Sequence, residues 1–243
     1  MLFFDRFFST PAENLACDEA LLDLCEKSSA PGFVRFWESP SYFVVLGFSK
    51  VLAREVYEEE CAALKLPIFR RVSGGGTVLQ GPGCLNYTLV LPVSFAPQLE
   101  TITGANRLIM ERNRSAVAAL AQKPVTLQGH TDLTLDGRKF SGNAQRRKKS
   151  SVLFHGSFLL SFDLGLISRA LRIPADQPEY RKERPHSDFL LNLNVPPEAL
   201  KQALAALWRA QESPAASLLD EALAQTRLLA QSKYADPGWN RRF

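Results

Sequence analysis

The sequence is poor in the features that mark metal-bound, secreted and membrane proteins. It holds only four cysteines, Cys17, Cys25, Cys61 and Cys84, with no Cys-x-x-Cys pair and no histidine cluster beside them. That spacing argues against a zinc site. Met1-Leu2-Phe3-Phe4 runs into Asp5 and Arg6 too early for the apolar region of a secretion signal. Scattered cysteines without such a signal imply reduced thiols and a cytoplasmic setting. No run of eighteen apolar residues occurs, so no membrane span is expected. Heptads, internal repeats and low-complexity segments are also missing, which argues against a coiled-coil assembly. The formal net charge is only +4, too small an imbalance for a dedicated nucleic-acid coat.

What is present is an ordinary globular balance, 46% hydrophobic and 22% charged over 243 residues. That length can bury a sizeable core without a disulfide or metal staple. Thr10-Pro11-Ala12-Glu13 reads as a helix start, with Thr10 as cap, Pro11 in the first turn and Glu13 reaching back. Leu15, Ala16, Leu21, Leu22 and Cys25 continue it as an apolar stripe. Strands are expected over 33–37, 42–46, 68–72, 86–93, 131–135, 138–141 and 152–161, and helices over about 107–121, from 196 and over about 215–231. Helices bracketing a run of strands point to an α+β fold rather than a doubly wound sheet. The charged, Pro-rich stretch 177–187 is the best candidate for a mobile loop.

Two stretches carry chemistry. The first is Arg70-Arg71-Val72-Ser73-Gly74-Gly75-Gly76-Thr77. Glycines lack a Cβ, so main chain can approach a ligand and its N–H groups can form an anion-binding concavity. Two arginines upstream can add charge-assisted hydrogen bonds to a phosphate. The segment lacks the Gly-Lys-Ser/Thr of a P-loop and the spacing of a dinucleotide fingerprint, so it would be a different cradle. A tight turn with a solvated arginine pair is the plain alternative.

The second stretch runs from Thr131 to Gln145. Asp136-Gly137 is a two-residue hairpin turn. It places Lys139 early on the returning strand, with Ser141 on the same face by alternation. A lysine aimed into a cleft is a point charge for a phosphoryl or carboxylate oxygen. Gly142 and Asn143 suggest a bulge or a close approach to a ligand. Arg146-Arg147-Lys148-Lys149 reads as a solvated hairpin tip. The alternatives for it are a nucleic-acid contact or a docking edge for an acidic domain.

Together these segments resemble the lipoate–protein ligase and octanoyltransferase family, relatives of the biotin ligases. RRVSGGGTVL (70–79) is similar to the family's paired-arginine, triple-glycine segment, and GRKFSGNAQ (137–145) to its lysine segment. His155 to Leu160 followed by Asp163-Leu164 resembles the strand after it. Asn14-Leu15-Ala16 resembles its first helix, and Lys233-Tyr234 with Trp239-Asn240 the end of its catalytic domain. The resemblance implies a single catalytic domain over 1–243, with a mostly antiparallel sheet wrapped by helices and no C-terminal accessory domain. A separate subunit would then supply the accessory part, or the chain does without it.

The implied chemistry joins lipoate and Mg-ATP into lipoyl-adenylate, which a lysine of a carrier domain then attacks. The carrier would belong to a 2-oxoacid dehydrogenase or be a glycine-cleavage H-type protein. By resemblance, Lys139 is catalytic and contacts both the acyl carbonyl and the phosphate. Arg71, Gly76, Thr77, Val78 and Leu79 hold the nucleotide. Ser73, Gly74, Gly75, Asn86, Gly142, Asn143, His155 and Gly156 hold the acyl group. Magnesium is expected with ATP rather than from a protein motif. No nucleic acid or membrane partner is implied.

The chain departs from the family in places. Gln80-Gly81 stands where the ligases usually carry His-Asp, Cys84 follows Gly83 where they often have Asn, and Gly47-Phe48 replaces a Gly-Arg. These changes bear on acyl specificity. The alternative is an ATP-independent octanoyl or lipoyl transferase, drawing on acyl carrier protein or another lipoylated protein through a cysteine nucleophile. In similar transferases that cysteine lies just upstream of the lysine segment. Residues 124–130 hold none here, and Thr131-Asp132-Leu133 resembles the ligases' Asn-Asp-Leu. Cys84 is the one thiol near the glycines, as nucleophile or as packing; the other cysteines read as core. His155 is as well read as packed as catalytic, His130 as a site-edge residue and His186 as exposed. Trp37, Trp208 and Trp239 read as core. A non-catalytic module that holds lipoyl-adenylate or RNA is a third reading, although an RNA binder should show exposed aromatics beside the basic patch.

Overall fold

The computed structural model describes residues 1–28, 30–210 and 212–243. Ten strands form two sheets. The larger is built from β1 (Leu2–Phe3), β2 (Phe33–Trp37), β6 (Cys84–Pro92), β7 (Thr126–Gln128), β8 (Asp132–Leu135), β9 (Arg138–Arg147) and β10 (Ser151–Leu159). Its spatial order is β1-β2-β6-β10-β9-β8-β7, antiparallel except for the β1–β2 pair. The smaller sheet has β3 (Phe43–Leu46) between β4 (Ile68–Arg70), parallel to it, and β5 (Val78–Gln80), antiparallel to it. This is the α+β, mostly antiparallel architecture the sequence implied. Strand β5 escaped the pattern reading because three residues are too few to show alternation.

Helix α1 (Pro11–Lys27) starts as expected: Thr10 Oγ1 accepts from the Glu13 N–H, and the Glu13 carboxylate accepts from the Thr10 hydroxyl. It covers one face of the large sheet together with α8 (Ala216–Leu229). Leu15, Leu21, Leu22 and Leu24 are buried there, each stabilising the packed state by about 1.5–3 kcal/mol over exposure. The opposite face packs on α4 (Ile102–Ala121) and α7 (Pro197–Leu207) through Phe140, Phe154 and Phe158. A third apolar cluster joins the small sheet to the short helices α2 (Leu52–Glu55), α3 (Glu58–Ala63), α5 (Leu164–Ala170) and α6 (His186–Phe189).

The last helix, α9 (Pro237–Asn240), returns to the small sheet. Asn240 Oδ1 accepts from the Arg70 N–H, and Trp239 Nε1 donates to Arg70 O at 2.8 Å. Arg70 is fully buried, and its guanidinium donates to the carbonyls of Gly47, Phe48, Lys50 and Asn240. Arg70 is thereby withdrawn from the expected pair of phosphate ligands. Arg70 is a structural tie whose two terminal nitrogens donate to main chain.

Two further expectations are corrected. The 177–187 stretch is packed down rather than free, with a 3-10 turn over Glu179–Arg181, and Arg181 and His186 are buried. Apolar contact with Phe189 and hydrogen bonds from both arginines explain this, since the Arg181 and Arg184 guanidiniums lie over its ring. The basic hairpin tip is also more engaged than a solvated turn. Arg147 donates to Leu99 O, Lys148 pairs with Asp23, and Arg146 lies over the Phe48 ring. Among the described residues, no helix is long and apolar enough to cross a membrane.

Candidate active site

A half-open cavity of about 220 Å³ lies between the small sheet and the α1 face of the large one. Its first wall is the loop between β4 and β5. This loop crosses the end of β3 so closely that a Cβ on Gly47 would stand 2.0 Å from Gly75 O. Gly75 has φ +84°, a conformation that L side chains rarely adopt. Arg71 Nη2 donates to Gly74 O at 2.6 Å and Gly76 O at 2.8 Å, and its Nε donates to Ser73 Oγ at 3.0 Å. Carbonyls are thus drawn to the arginine. Among the described residues, the N–H groups of Gly74, Gly75 and Gly76 find no protein acceptor. That is the arrangement of an anion cradle. Burial pushes the Arg71 pKa down to about 10, so it stays charged at neutral pH. Beyond the loop, β5 is an edge strand paired with β3 alone, which leaves alternate main-chain groups unpaired.

A buried polar chain fastens this loop to α1. Ser73 Oγ lies 2.6 Å from His155 Nε2, and His155 Nδ1 lies 2.8 Å from Asp18 Oδ2. Asp18 also accepts from Arg35 and Thr88. Asn14 and Asp18 stand one helical turn apart, so both reach Arg35. His155 borders the cavity, but Ser73 is completely buried and does not. The chain therefore positions the loop rather than presenting a serine nucleophile.

The second wall carries Lys139. Its Nζ pairs with Asp132 Oδ1 at 2.8 Å, and Asp132 Oδ2 accepts from Tyr180 OH at 2.7 Å. Burial first, then the Asp132 charge, raises the Tyr180 pKa. A register shift between β8 and β9 sets Lys139 opposite Thr134 and Ser141 opposite Leu133, leaving Phe140 as the extra residue. Strict alternation is broken, so Ser141 is buried away from the cavity and Gly142 lies beside Lys139 instead. A Cβ on Gly142 would meet Lys139 Nζ at 2.7 Å. Asn143 borders the cavity, yet its amide is spent internally: Oδ1 accepts from Tyr87 OH, and Nδ2 donates to Thr131 O. Gly156 lacks a Cβ because one would collide with Asn143 Oδ1.

The packed 171–189 stretch closes the cavity beside Lys139, bringing Arg172, Arg181 and His186 to its rim. Arg172 is held by Nε donating to Val56 O, with its guanidinium over Tyr57. His186 is buried, and desolvation, then Arg181, lowers its pKa. It was expected to be exposed. Glu55 reaches the cavity from α2, accepting from the Thr77 hydroxyl at 2.7 Å.

The cavity thus gathers Arg71, Gly76, Thr77, Val78, Asn86, Lys139, Gly142, Asn143, His155 and Gly156. Gly74 and Gly75 are exposed in the loop without bordering it; Ser73 and Leu79 are buried behind it. His130 is exposed and does not border it. Cys84 is fully buried away from it, and burial pushes its thiol up to about 12. Its reading as a nucleophile is corrected: the thiolate form is too scarce and too enclosed to attack a substrate. Cys17, Cys25 and Cys61 are buried too. Residues missed by sequence reasoning are Asp18, Glu55, Asp132 as the lysine's partner, Arg172 and Tyr180. Asp18 left a weak signal, an acid one turn from Asn14 among the positions α1 buries, and Asp132 stood in a segment already singled out. Among the described residues, no group of three or more metal-ligating side chains is assembled.

A glycine loop and a lysine thus meet at one partly apolar cavity. The family model described as the Lipoyl protein ligase A/B catalytic domain matches residues 10–206, and the chain belongs to that family. It is 27% identical to "Octanoyltransferase LipM" of Geobacillus kaustophilus, across 98% of this chain and 96% of the relative. Among solved structures, it resembles the putative lipoate protein ligase Ta0514 of T. acidophilum with bound lipoic acid. That likeness has a TM-score of 0.81 at 20% identity, covering 100% of this chain and 98% of the other. A lipoate-protein ligase A bound with ATP gives a TM-score of 0.80 at 20% identity, covering 99% and 96%. At such identities the structures support the fold. The enzyme class, lipoate ligase or octanoyltransferase, follows from the family.

Proposed function

We propose that the chain is a lipoate–protein ligase that works through an acyl-adenylate. One observation carries this reading: the glycine loop, whose N–H groups find no protein acceptor, brings Gly76 to the cavity that Lys139 borders, and among the described residues no thiol borders it. The acid's carboxylate oxygen attacks the α-phosphorus of ATP, and pyrophosphate leaves. The lysine amine of a carrier domain then attacks the acyl carbon, and AMP leaves. The glycine loop and the β5 edge receive the phosphate. Lys139 stabilises charge on the acyl carbonyl and phosphate as it grows. Asp132 and Tyr180 hold that ammonium in place. Magnesium enters with the nucleotide.

A second reading is direct transfer from an octanoylated carrier protein. Bacterial relatives named "Octanoyltransferase LipM" favour it. Among the described residues, no thiol borders the cavity, which weighs against it. The two separate in one assay. An apo carrier domain is given either lipoate with Mg-ATP or octanoyl carrier protein, and its mass reports transfer. Modification only with ATP supports the ligase; modification only from the carrier protein overturns it. Lys139→Ala should cut transfer by about 100-fold or more, the scale of losing one charge-stabilising donor. Near-normal transfer by a folded Lys139→Ala variant would sink the mechanism.

A further inference from the structure

The 171–189 stretch brings a second group of positive charges to the cavity, apart from the glycine loop. Among the described residues, Arg71, Arg172 and Arg181 border the cavity without a carboxylate partner. Three of the acids there are committed elsewhere: Asp18 to Arg35, Glu55 to Lys50 and Asp132 to Lys139. The fourth, Asp176, is exposed. Arg71 donates into the loop, but the other two arginines keep free donors. Arg181 is 4% exposed; its Nε donates to Arg184 O at 3.1 Å, and its Nη2 faces His186 Nδ1 at 3.3 Å. Among the described residues its Nη1 has no acceptor, and it is not sealed from solvent. Arg172 is fixed by Nε on Val56 O and by the Tyr57 ring, and both its terminal nitrogens are free.

His186 joins the two arginines. An arginine nitrogen can only donate, so His186 Nδ1 accepts from Arg181 and Nε2–H donates to Arg172 O. Just beyond, Leu191 N–H donates to Lys139 O at 3.0 Å and Arg138 Nη2 to Leu190 O at 2.6 Å, which ties the stretch to the strand of Lys139. A guanidinium buried without a counter-ion is unfavourable, and a bound anion relieves it.

We propose that Arg172 and Arg181 form a second anion subsite for a diphosphate group, the two outer phosphates of a nucleotide whose α-phosphate meets the glycine loop. The inference rests on reading the cavity as an adenylating site, and it gives a role to a stretch outside the glycine and lysine segments. Arg181 lies too deep for a side chain of a docked protein, so its anion is small. Two guanidiniums offer forked donors that match neighbouring phosphoryl oxygens. As the carboxylate oxygen bonds to the α-phosphorus, the bond from that phosphorus to the bridging oxygen breaks. Its electron pair stays on the diphosphate, where the two arginines meet the growing charge.

The test is calorimetric titration of the full chain with inorganic diphosphate and, separately, with AMP. Arg181→Gln and Arg172→Gln, each checked for an unchanged thermal melt, should weaken diphosphate binding about tenfold, the worth of one hydrogen bond to a charged group. AMP binding should hold within about twofold. Arg172 is exposed, so its variant still reads the subsite if Arg181→Gln misfolds. Lys182→Gln removes an exposed charge from the same stretch and should change neither. No diphosphate binding, an unchanged constant in a folded variant, or an equal loss in Lys182→Gln would each overturn the proposal. ATP-dependent transfer with an unaltered KM for ATP in both variants would overturn the subsite and leave the ligase reading intact. Arginine-dependent diphosphate binding by a chain that transfers nothing with lipoate and Mg-ATP would overturn the ligase reading and leave the subsite standing.

Discussion

The two walls of the cavity are built on opposite principles. The glycine-loop wall is main chain, shaped by one buried arginine that gathers two carbonyls and turns the N–H groups outward. The wall around Lys139 is side chain, a line from Lys139 through Asp132 to Tyr180 with Arg172 and Arg181 nearby. The first wall is already paid for in folding, so it can meet an anion without rearranging. The second is one ion pair braced by a hydrogen bond at a partly exposed rim, and a ligand must compete with Asp132 for the lysine. The first wall should therefore tolerate geometric change badly, and the second should tolerate it in proportion to charge.

The largest effect should come from Arg71→Lys. An ammonium keeps the charge but cannot hold Ser73, Gly74 and Gly76 at once. We expect transfer to fall about 100-fold, the worth of two or three charge-assisted bonds, with the substrate-binding constant carrying most of it. A loss under about fivefold would mean that the loop keeps its shape unaided, and the contrast between walls would fail.

Tyr180→Phe probes the other wall. It removes one donor from Asp132 while leaving Lys139 in place, so kcat/KM should fall by about tenfold, the low end of what one hydrogen bond to a charged group is worth. Single-turnover kinetics with lipoate and Mg-ATP would show it, and a loss as large as that of Arg71→Lys would erase the distinction.

The smallest effect concerns pH. His186 is held neutral, with Nδ1 facing Arg181 and Nε2 facing Arg172 O at 3.3 Å. Its folded pKa lies below the ordinary 6.5. The folded state thus binds a proton less readily than the unfolded one, and stability is lost as pH falls below about 6.5. Melting temperature should drop by a few degrees between pH 7 and 5, and His186→Gln should remove part of that drop. An identical pH profile in the variant would show that the imidazole is not buried in solution.

The same contrast explains what was legible in the sequence. A main-chain wall needs glycine at fixed places, so Gly74-Gly75-Gly76 announced itself, and the Asp136-Gly137 turn delivered Lys139 to the cavity as expected. A side-chain wall leaves no such mark, because Asp132, Arg172 and Tyr180 look like any polar surface until distant segments meet. The 177–187 stretch read as loose because its arginines find main-chain carbonyls and the Phe189 ring only in three dimensions. Arg70 and Arg71 are neighbours of one type, yet strand alternation sends one to the C-terminal helix and the other to the loop. The bulge that moved Ser141 away is a register event, invisible to a period-two pattern.

Arg70 has one more consequence, for synthesis. Its main chain is fastened by Trp239 and Asn240, some 170 positions later. While the ribosome is still adding those positions, the strand leading into the glycine loop lacks its anchor. At about 5–20 residues per second, that leaves a window of several seconds in which the nascent polypeptide has most of its core but no finished catalytic pocket. The enzyme should gain the capacity to act only once Trp239 and Asn240 have reached Arg70.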